Sequence, residues 1–246
     1  MKITFLGTGH GVPSATRACS STMIKLGNAI YLVDAGAAVV DKMMQAGEDV
    51  TDVKAVFTTH AHSDHVAGVY HLADLYNWKY RDSEIDIYLT EKRVADAIDE
   101  LISATTRNVD RERVRLHAVT KDFKYSDHAL TAVLYPTEHL TPLNRPSYGI
   151  MIEAEGKKIY FSGDLSQHLA LDDFPTWALE PDIDIFVCEL AHFSIDKVKP
   201  YLDKCKAKRV VFTHIYPIEK YDELEKMKKD YAFELILPED MDSITL

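Results

Sequence analysis

Within six residues, His60-Ala61-His62-Ser63-Asp64-His65, the chain places three imidazoles and one carboxylate. Neutral imidazole nitrogen and carboxylate oxygen hold zinc at about 2.0–2.2 Å, so such groups are useful only where a short segment turns sharply and aims them at one place. The flanking residues supply that turn. Residues 55–59 are an apolar run suited to a buried strand. After it, Val66, Val69, Leu72, Ala73, Leu75 and Tyr76 recur at helical spacing, which predicts a helix capped by Ser63. His60 and His62, two apart on an extended end, point one way. Asp64 and His65, on the first helical turn, face a neighbouring position. One loop can therefore serve two metals.

The remaining chain fits an α/β arrangement around that loop. Residues 3–6, 21–26 and 29–33 read as strands, with Gly27-Asn28 as a hairpin turn, and residues 37–46 as a helix. A strand at 85–89 and a helix at 91–104 follow. The second half repeats this vocabulary. Lys158-Ile159-Tyr160-Phe161-Ser162-Gly163-Asp164 parallels Ala29-Ile30-Tyr31-Leu32-Val33-Asp34, a β-run ending on aspartate. Arg209-Val210-Val211-Phe212-Thr213-His214 parallels Lys54-Ala55-Val56-Phe57-Thr58-Thr59-His60, a β-run ending in Thr-His. We read two related halves within one domain spanning 1–246, since no linker or low-complexity stretch divides it; in α/β sheets such strand ends carry the sites.

Composition narrows the function. The 246 residues carry 39 acidic against 28 basic side chains, a formal charge of −11, and 46% are hydrophobic. That is enough apolar material for a packed core. The acidic balance counts against long nucleic acids, whose binding depends on Lys and Arg releasing counterions. Cys19, Cys188 and Cys205 are odd in number and widely spaced, which argues against a disulfide framework and fits a reducing, cytoplasmic setting. No two of them stand at zinc-site spacing. We see neither a secretory signal at the N-terminus nor a run approaching the ~18–20 apolar residues of a membrane span, so no membrane association is expected.

Three further candidates, His139, Asp164 and His214, each stand at or just after a β-run and would complete two coordination shells. With these residues following the His60–His65 cluster in order, the chain resembles the metallo-β-lactamase fold superfamily of metal-dependent hydrolases over nearly its whole length. The resemblance implies a four-layer αββα sandwich. It implies that His60, His62 and His139 hold one divalent metal, that Asp64, His65 and His214 hold another, and that Asp164 bridges them. Asp34 then orients the loop without being a ligand. Zinc is the expected ion, with manganese or iron compatible with the same donors.

Phe5-Leu6-Gly7-Thr8-Gly9-His10-Gly11-Val12-Pro13 and Pro146-Ser147-Tyr148-Gly149 are similar to the branch holding ribonuclease Z and small cyclic phosphate phosphodiesterases. The glycine-rich turn could lie against an anion with its backbone N–H groups. No inserted basic arm for tRNA is present, and in the helical stretch 91–115 Asp110 and Glu112 interleave with Arg107, Arg111, Arg113 and Arg115, a solvated face. Glu189-Leu190-Ala191-His192 resembles the region where a glutamate supports an active-site histidine, with His192 a proton donor. Arg145, Ser147 and Tyr148 follow His139 closely and are candidates to line the pocket.

Two metals lower the pKa of water from 15.7 toward ~7 and neutralise charge developing on a phosphoryl or carbonyl oxygen. The expected activity is hydrolysis of a small or cyclic phosphate ester, with Asp64, Asp164 and His192 carrying the chemistry. Lactone, carboxylic ester or thioester hydrolysis is the alternative; ribonuclease Z-like RNA processing and non-catalytic metal binding follow behind. The expected partner is a small anionic substrate, and self-association into a homo-oligomer is left open.

Overall fold

Apolar runs bounded by turn residues become strands where a neighbour can cover them, and the first half of the chain supplies six. The computed structural model describes residues 1–246. In it β1 (Lys2–Gly7), β2 (Ser21–Leu26) and β3 (Ala29–Val33) form an antiparallel meander. Gly27 opens the β2–β3 turn at φ 60°, a left-handed position that glycine takes without penalty. After α1 (Val39–Gln45), the strands β4 (Val53–Phe57), β5 (Ile85–Leu89) and β6 (Val114–Ala118) add in parallel, connected by α2 (Ser63–Trp78) and α3 (Lys92–Thr105). Parallel neighbours need such crossovers, and helices are the usual means.

Two local expectations change. The N-cap of α2 is His62, without a side-chain capping bond, and Ser63 lies inside the first turn. The helix beginning at Lys92 ends at Thr105, because Val114 and Leu116 alternate with Arg115 and His117 in the period of a strand. The arginines there are paired: Arg111 with Asp99, Arg113 with Asp110, and Arg115 with Asp86.

Residues Met1–Thr120 and Glu239–Leu246 form one compact unit. Its core gathers Ile30, Leu32, Val56, Ile85, Ile87 and Leu89 from the sheet against Val69, Leu72 and Tyr76 of α2 and Ile98 and Ile102 of α3. Each such side chain contributes about 1.5–3 kcal/mol on burial. At Gly68 of α2 a Cβ would sit 2.3 Å from the carbonyl oxygen of Gly36. Only glycine there lets the loop after β3 lie directly on the helix, where Gly68 N donates to Ala35 O at 2.9 Å and Ala35 N to His65 O at 2.8 Å.

Residues Lys121–Pro238 form the second unit. Its strands are β7 (Lys124–Ser126), β8 (Leu130–Pro136), β9 (Tyr148–Ala154), β10 (Lys157–Phe161), β11 (Ile185–Leu190), β12 (Arg209–Ile215) and β13 (Glu234–Ile236), with α4 (Ile195–Leu202) and α5 (Lys220–Met227). Phe186, Cys188, Leu190 and Phe212 of the sheet pack with Val198 and Leu202 of α4, and Phe174 stacks on Tyr201 at 4.3 Å. The last strand, β14 (Ser243–Thr245), returns to the first unit and pairs antiparallel with β1.

The two sheets are related. Their orders are β14-β1-β2-β3-β4-β5-β6 and β7-β8-β9-β10-β11-β12-β13, and in both the first three pairings are antiparallel and the last three parallel. This aligns β3 with β10, as the Asp34 and Asp164 runs suggest. It aligns β4 with β11, however, so the Thr-His run of β12 corresponds to β5 and not to the strand before His60. No helix is long and apolar enough to cross a membrane.

Candidate metal centre

The loop after β4 carries the first group of candidates. His60 is fully buried and His65 nearly so; their ring centroids lie 4.1 Å apart, and those of His60 and His62 4.7 Å apart. Asp64 Oδ2 stands 3.4 Å from His65 Nε2. The pin for this loop is Asp34, which follows β3 at φ 60°. Its Oδ1 accepts from Thr59 N at 2.7 Å, and its Oδ2 accepts from His65 Nδ1 at 2.7 Å. A carboxylate on Nδ1 sets the tautomer and leaves Nε2 as the coordinating atom. Left-handed backbone at a non-glycine residue persists only where the surroundings impose it, and these bonds impose it at Asp34.

The glycine-rich turn is tied into its own unit by main-chain bonds. Thr8 N donates to Asp240 Oδ1 at 2.9 Å, Gly9 N to Ala18 O at 2.8 Å, Val12 N to His10 Nδ1 at 3.3 Å and Ser14 N to Arg17 O at 2.9 Å. Those four amides are committed within the unit, where they brace the turn. It lays Gly11 against the carboxylate of Asp64, where a Cβ would meet Oδ2 at 3.5 Å. Nearby Cys19 is half-buried, and burial followed by the charge of Asp64 pushes its thiol pKa up.

In the second unit the candidates converge on one oxygen. Asp164 Oδ2 lies 3.7 Å from His139 Nε2, 3.8 Å from His192 Nδ1 and 3.8 Å from His214 Nε2. These spacings are too long for hydrogen bonds. Those of His139 and His214 suit donors sharing an ion with Asp164, since two atoms each ~2.1 Å from one zinc can be at most about 4.2 Å apart. The donor set of imidazole and carboxylate therefore fits a divalent metal. His139 Nδ1 donates to Leu165 O at 3.2 Å, which aims Nε2 at Asp164. His214 sits where the β11–β12 register slips, between the pairs Glu189–Thr213 and Leu190–Ile215, with φ 51°. That bulge turns its ring aside from the strand's alternation.

Glu189, on β11, is the counterpart of Asp34 in action. Its Oε1 accepts from His192 Nδ1 at 3.0 Å and from Leu165 N at 3.1 Å, and its Oε2 from Ala191 N at 2.6 Å and His192 N at 3.1 Å. From outside, Lys220 Nζ donates to Leu190 O and Phe193 O, both at 2.7 Å, and burial lowers the pKa of that ammonium. Ser147 is buried and committed to Thr137 O at 3.0 Å and to Leu140 N at 3.3 Å, so it braces the His139 loop. Tyr148 is 5% exposed, with its pKa raised by burial; Arg145 is half-buried beside the same loop. Lys220, Asp240 and Asp173, the last accepting from Glu138 N at 2.9 Å, escape sequence reasoning because each acts on backbone groups and leaves no motif.

Fold and site together define a protein of the metallo-β-lactamase fold. The chain matches the family described as Anti-Pycsar protein Apyc1 over residues 1–233 and belongs to that family. Ribonuclease Z of Mycobacterium sp. (strain KMS) is 26% identical over 247 residues, which cover 88% of this chain and 85% of the relative. Among solved structures, the metallo-β-lactamase fold protein YhfI from Bacillus subtilis superposes with a TM-score of 0.78 at 19% identity, covering 99% of this chain and 98% of that one. Human tRNase Z, short form, superposes with a TM-score of 0.75 at 20% identity, covering 100% and 99%. At these identities the two structures speak for the fold.

Proposed function

We propose that the chain is a metal-dependent hydrolase acting on a small or cyclic phosphodiester. The observation that carries this reading is the oxygen of Asp164 ringed by three imidazole nitrogens at 3.7–3.8 Å, one of which Glu189 holds in place. His60, His62, Asp64 and His65 of the first unit, and His139, Asp164 and His214 of the second, are the residues that would hold divalent cations. Zinc is our first choice for these donors, with manganese or iron as alternatives. When bound, such cations supply Lewis acidity, lowering the pKa of water and neutralising charge on a phosphoryl oxygen.

The chain's own residues do the rest. Asp34 keeps His65 in one tautomer. Glu189, on Nδ1 of His192, steadies the doubly protonated ring, whose Nε2 proton can pass to the departing oxygen; such positioned proton transfer contributes about 10²- to 10⁴-fold. Arg145 and Tyr148 are proposed to meet the anionic substrate, and Ser147 to hold their loop. The formal charge of −11 and the arginines paired to carboxylates favour a small substrate over a long polyanion. The family is described as anti-Pycsar, and destruction of a small cyclic phosphodiester is the form of that action this site supports. Three free cysteines fit a reducing, cytoplasmic setting.

The test is an activity screen of metal-loaded protein over phosphodiesters, lactones and thioesters. We expect turnover of bis-p-nitrophenyl phosphate and of cyclic mononucleotides, with none by Asp164→Ala. Turnover confined to lactones or thioesters would move the assignment to ester hydrolysis, and inactivity on every panel would leave a metal-binding protein. Sedimentation of the same preparation gives the oligomeric state.

A further inference from the structure

Between Asp164 and α4 the chain makes a hoop, residues 166–173, that the proposed chemistry does not use. Three of its non-glycine residues are left-handed: His168 at φ 58°, Leu169 at φ 51° and Asp172 at φ 50°. Such backbone persists where bonds around it leave no alternative, and clusters of it mark functional segments. The bonds here start from one carboxylate. Asp173 Oδ2 accepts from Ser166 N at 2.9 Å and from Glu138 N at 2.9 Å, while Oδ1 accepts from Ser166 Oγ at 2.6 Å. Ser166 Oγ in turn accepts from Leu171 N at 3.2 Å, and His168 N donates to His192 O at 2.8 Å.

A single oxygen thus ties the residue just before His139 to the residue two past Asp164. The two loops leave different strands, β8 and β10, which are separated in the sheet by β9. The strand ladder ends at Pro136 and Phe161, and beyond it Thr137 Oγ1 donates to Asp164 O at 3.0 Å and His139 Nδ1 to Leu165 O at 3.2 Å; Asp173 adds the one clasp that takes a main-chain N–H from each loop on a single oxygen. We propose that Asp173 is a positioning residue for the His139–Asp164 pair: it holds those two ligand-type groups at a separation a shared cation can span, and it closes the hoop that steadies the His192 loop. This rests on the reading that His139 and Asp164 hold a cation.

The experiment is metal binding in the absence of substrate, by competition between the protein and a chromophoric zinc chelator, with the visible spectrum of the cobalt-loaded protein alongside. Asp173→Asn keeps the shape and one acceptor oxygen but removes the charge. We expect it to fold, as judged by near-ultraviolet circular dichroism, to bind zinc about 10- to 100-fold more weakly and to show an altered cobalt spectrum. Asp173→Glu keeps the charge and displaces the acceptor by a methylene, and a smaller loss in the same direction is expected; it serves also if the Asn variant fails to fold. Ser166→Ala opens the hoop but leaves the Oδ2 clasp, so its melting temperature should fall with zinc affinity within about twofold of wild type. Wild-type affinity and spectrum in both Asp173 variants would overturn the proposal, as would an equal loss in Ser166→Ala, which would assign the effect to the hoop alone. Failure of the unaltered protein to bind zinc would instead overturn the functional reading.

Discussion

The two halves share a pairing scheme and differ in where they keep the carboxylate that holds a histidine. In the first, Asp34 leaves the end of β3 and reaches to the loop after β4, where it takes Thr59 N and His65 Nδ1. In the second, the strand that corresponds to β4 itself bears the acid: Glu189 on β11 takes His192 Nδ1 and reaches back to Leu165 N, after β10. The aspartate at the β3-equivalent position, Asp164, is thereby released to face imidazoles. The pairing scheme is shared, and moving the brace to the next strand leaves Asp164 facing imidazoles where its counterpart Asp34 holds one.

Removing the two braces should have different signatures. Glu189→Gln removes the charge that steadies the protonated ring of His192, and we expect kcat to fall by about 10²-fold or more with metal content retained, since the role assigned to His192 is proton transfer. Asp34→Asn should act through His65 and lower zinc affinity by about 10- to 100-fold, with activity recovering at high metal concentration. Chelator competition and metal-dependent kinetics on both variants measure the contrast; metal loss in the Glu189 variant equal to that in the Asp34 variant would show that the braces are interchangeable.

Close backbone approach gives a smaller, structural test. A Cβ at Gly68 would fall 2.3 Å from a carbonyl oxygen, and one at Gly149 2.0 Å from the hydroxyl of buried Tyr160. Alanine at either site should cost about 1–3 kcal/mol. Thermal melts should then fall by about 2–12 °C in each variant. Only Gly68→Ala should also disturb zinc binding, because the loop it displaces carries Asp34.

The smallest effect concerns acid. Asp86 in the first half and Asp184 in the second are both partly buried, which alone would raise their pKa values. Arg115 and His117 outweigh this at Asp86, and Lys208 with Lys158 N outweighs it at Asp184, so both lie below the ordinary carboxylate range. A depressed folded pKa gives stability that is complete above the unfolded value of ~3.9 and lost progressively as pH falls from there through the lower folded value. Melting temperatures from pH 6 to pH 3 should fall less steeply in Asp86→Asn and Asp184→Asn, by the equivalent of about 1 kcal/mol or less each.

What the sequence disclosed was what lies close along it. The His60–His65 cluster is legible because a strand end and a helix start are consecutive, and Asp34 and Asp164 because each follows its own β-run. The match of β12 to the strand before His60 misleads, since a Val-Phe-Thr-His run reports local β-propensity and its counterpart is decided by sheet order. His214 owes its orientation to a register slip against β11, which no residue type signals. Asp173, Lys220 and Asp240 bind main-chain atoms of distant segments, Asp240 reaching Thr8 across 232 positions.

That last bond orders events during synthesis. Asp240 clasps Thr8 and Ala18, and β14 covers the outer edge of β1, yet all 118 residues of Lys121–Pro238 are translated before either exists. A first unit that folded as it emerged would wait with the outer edge of β1 uncovered while the second is made. Residues 239–246 act as a latch: the glycine-rich turn that lies against Asp64 is clasped only after the half that bears Asp164 has been made.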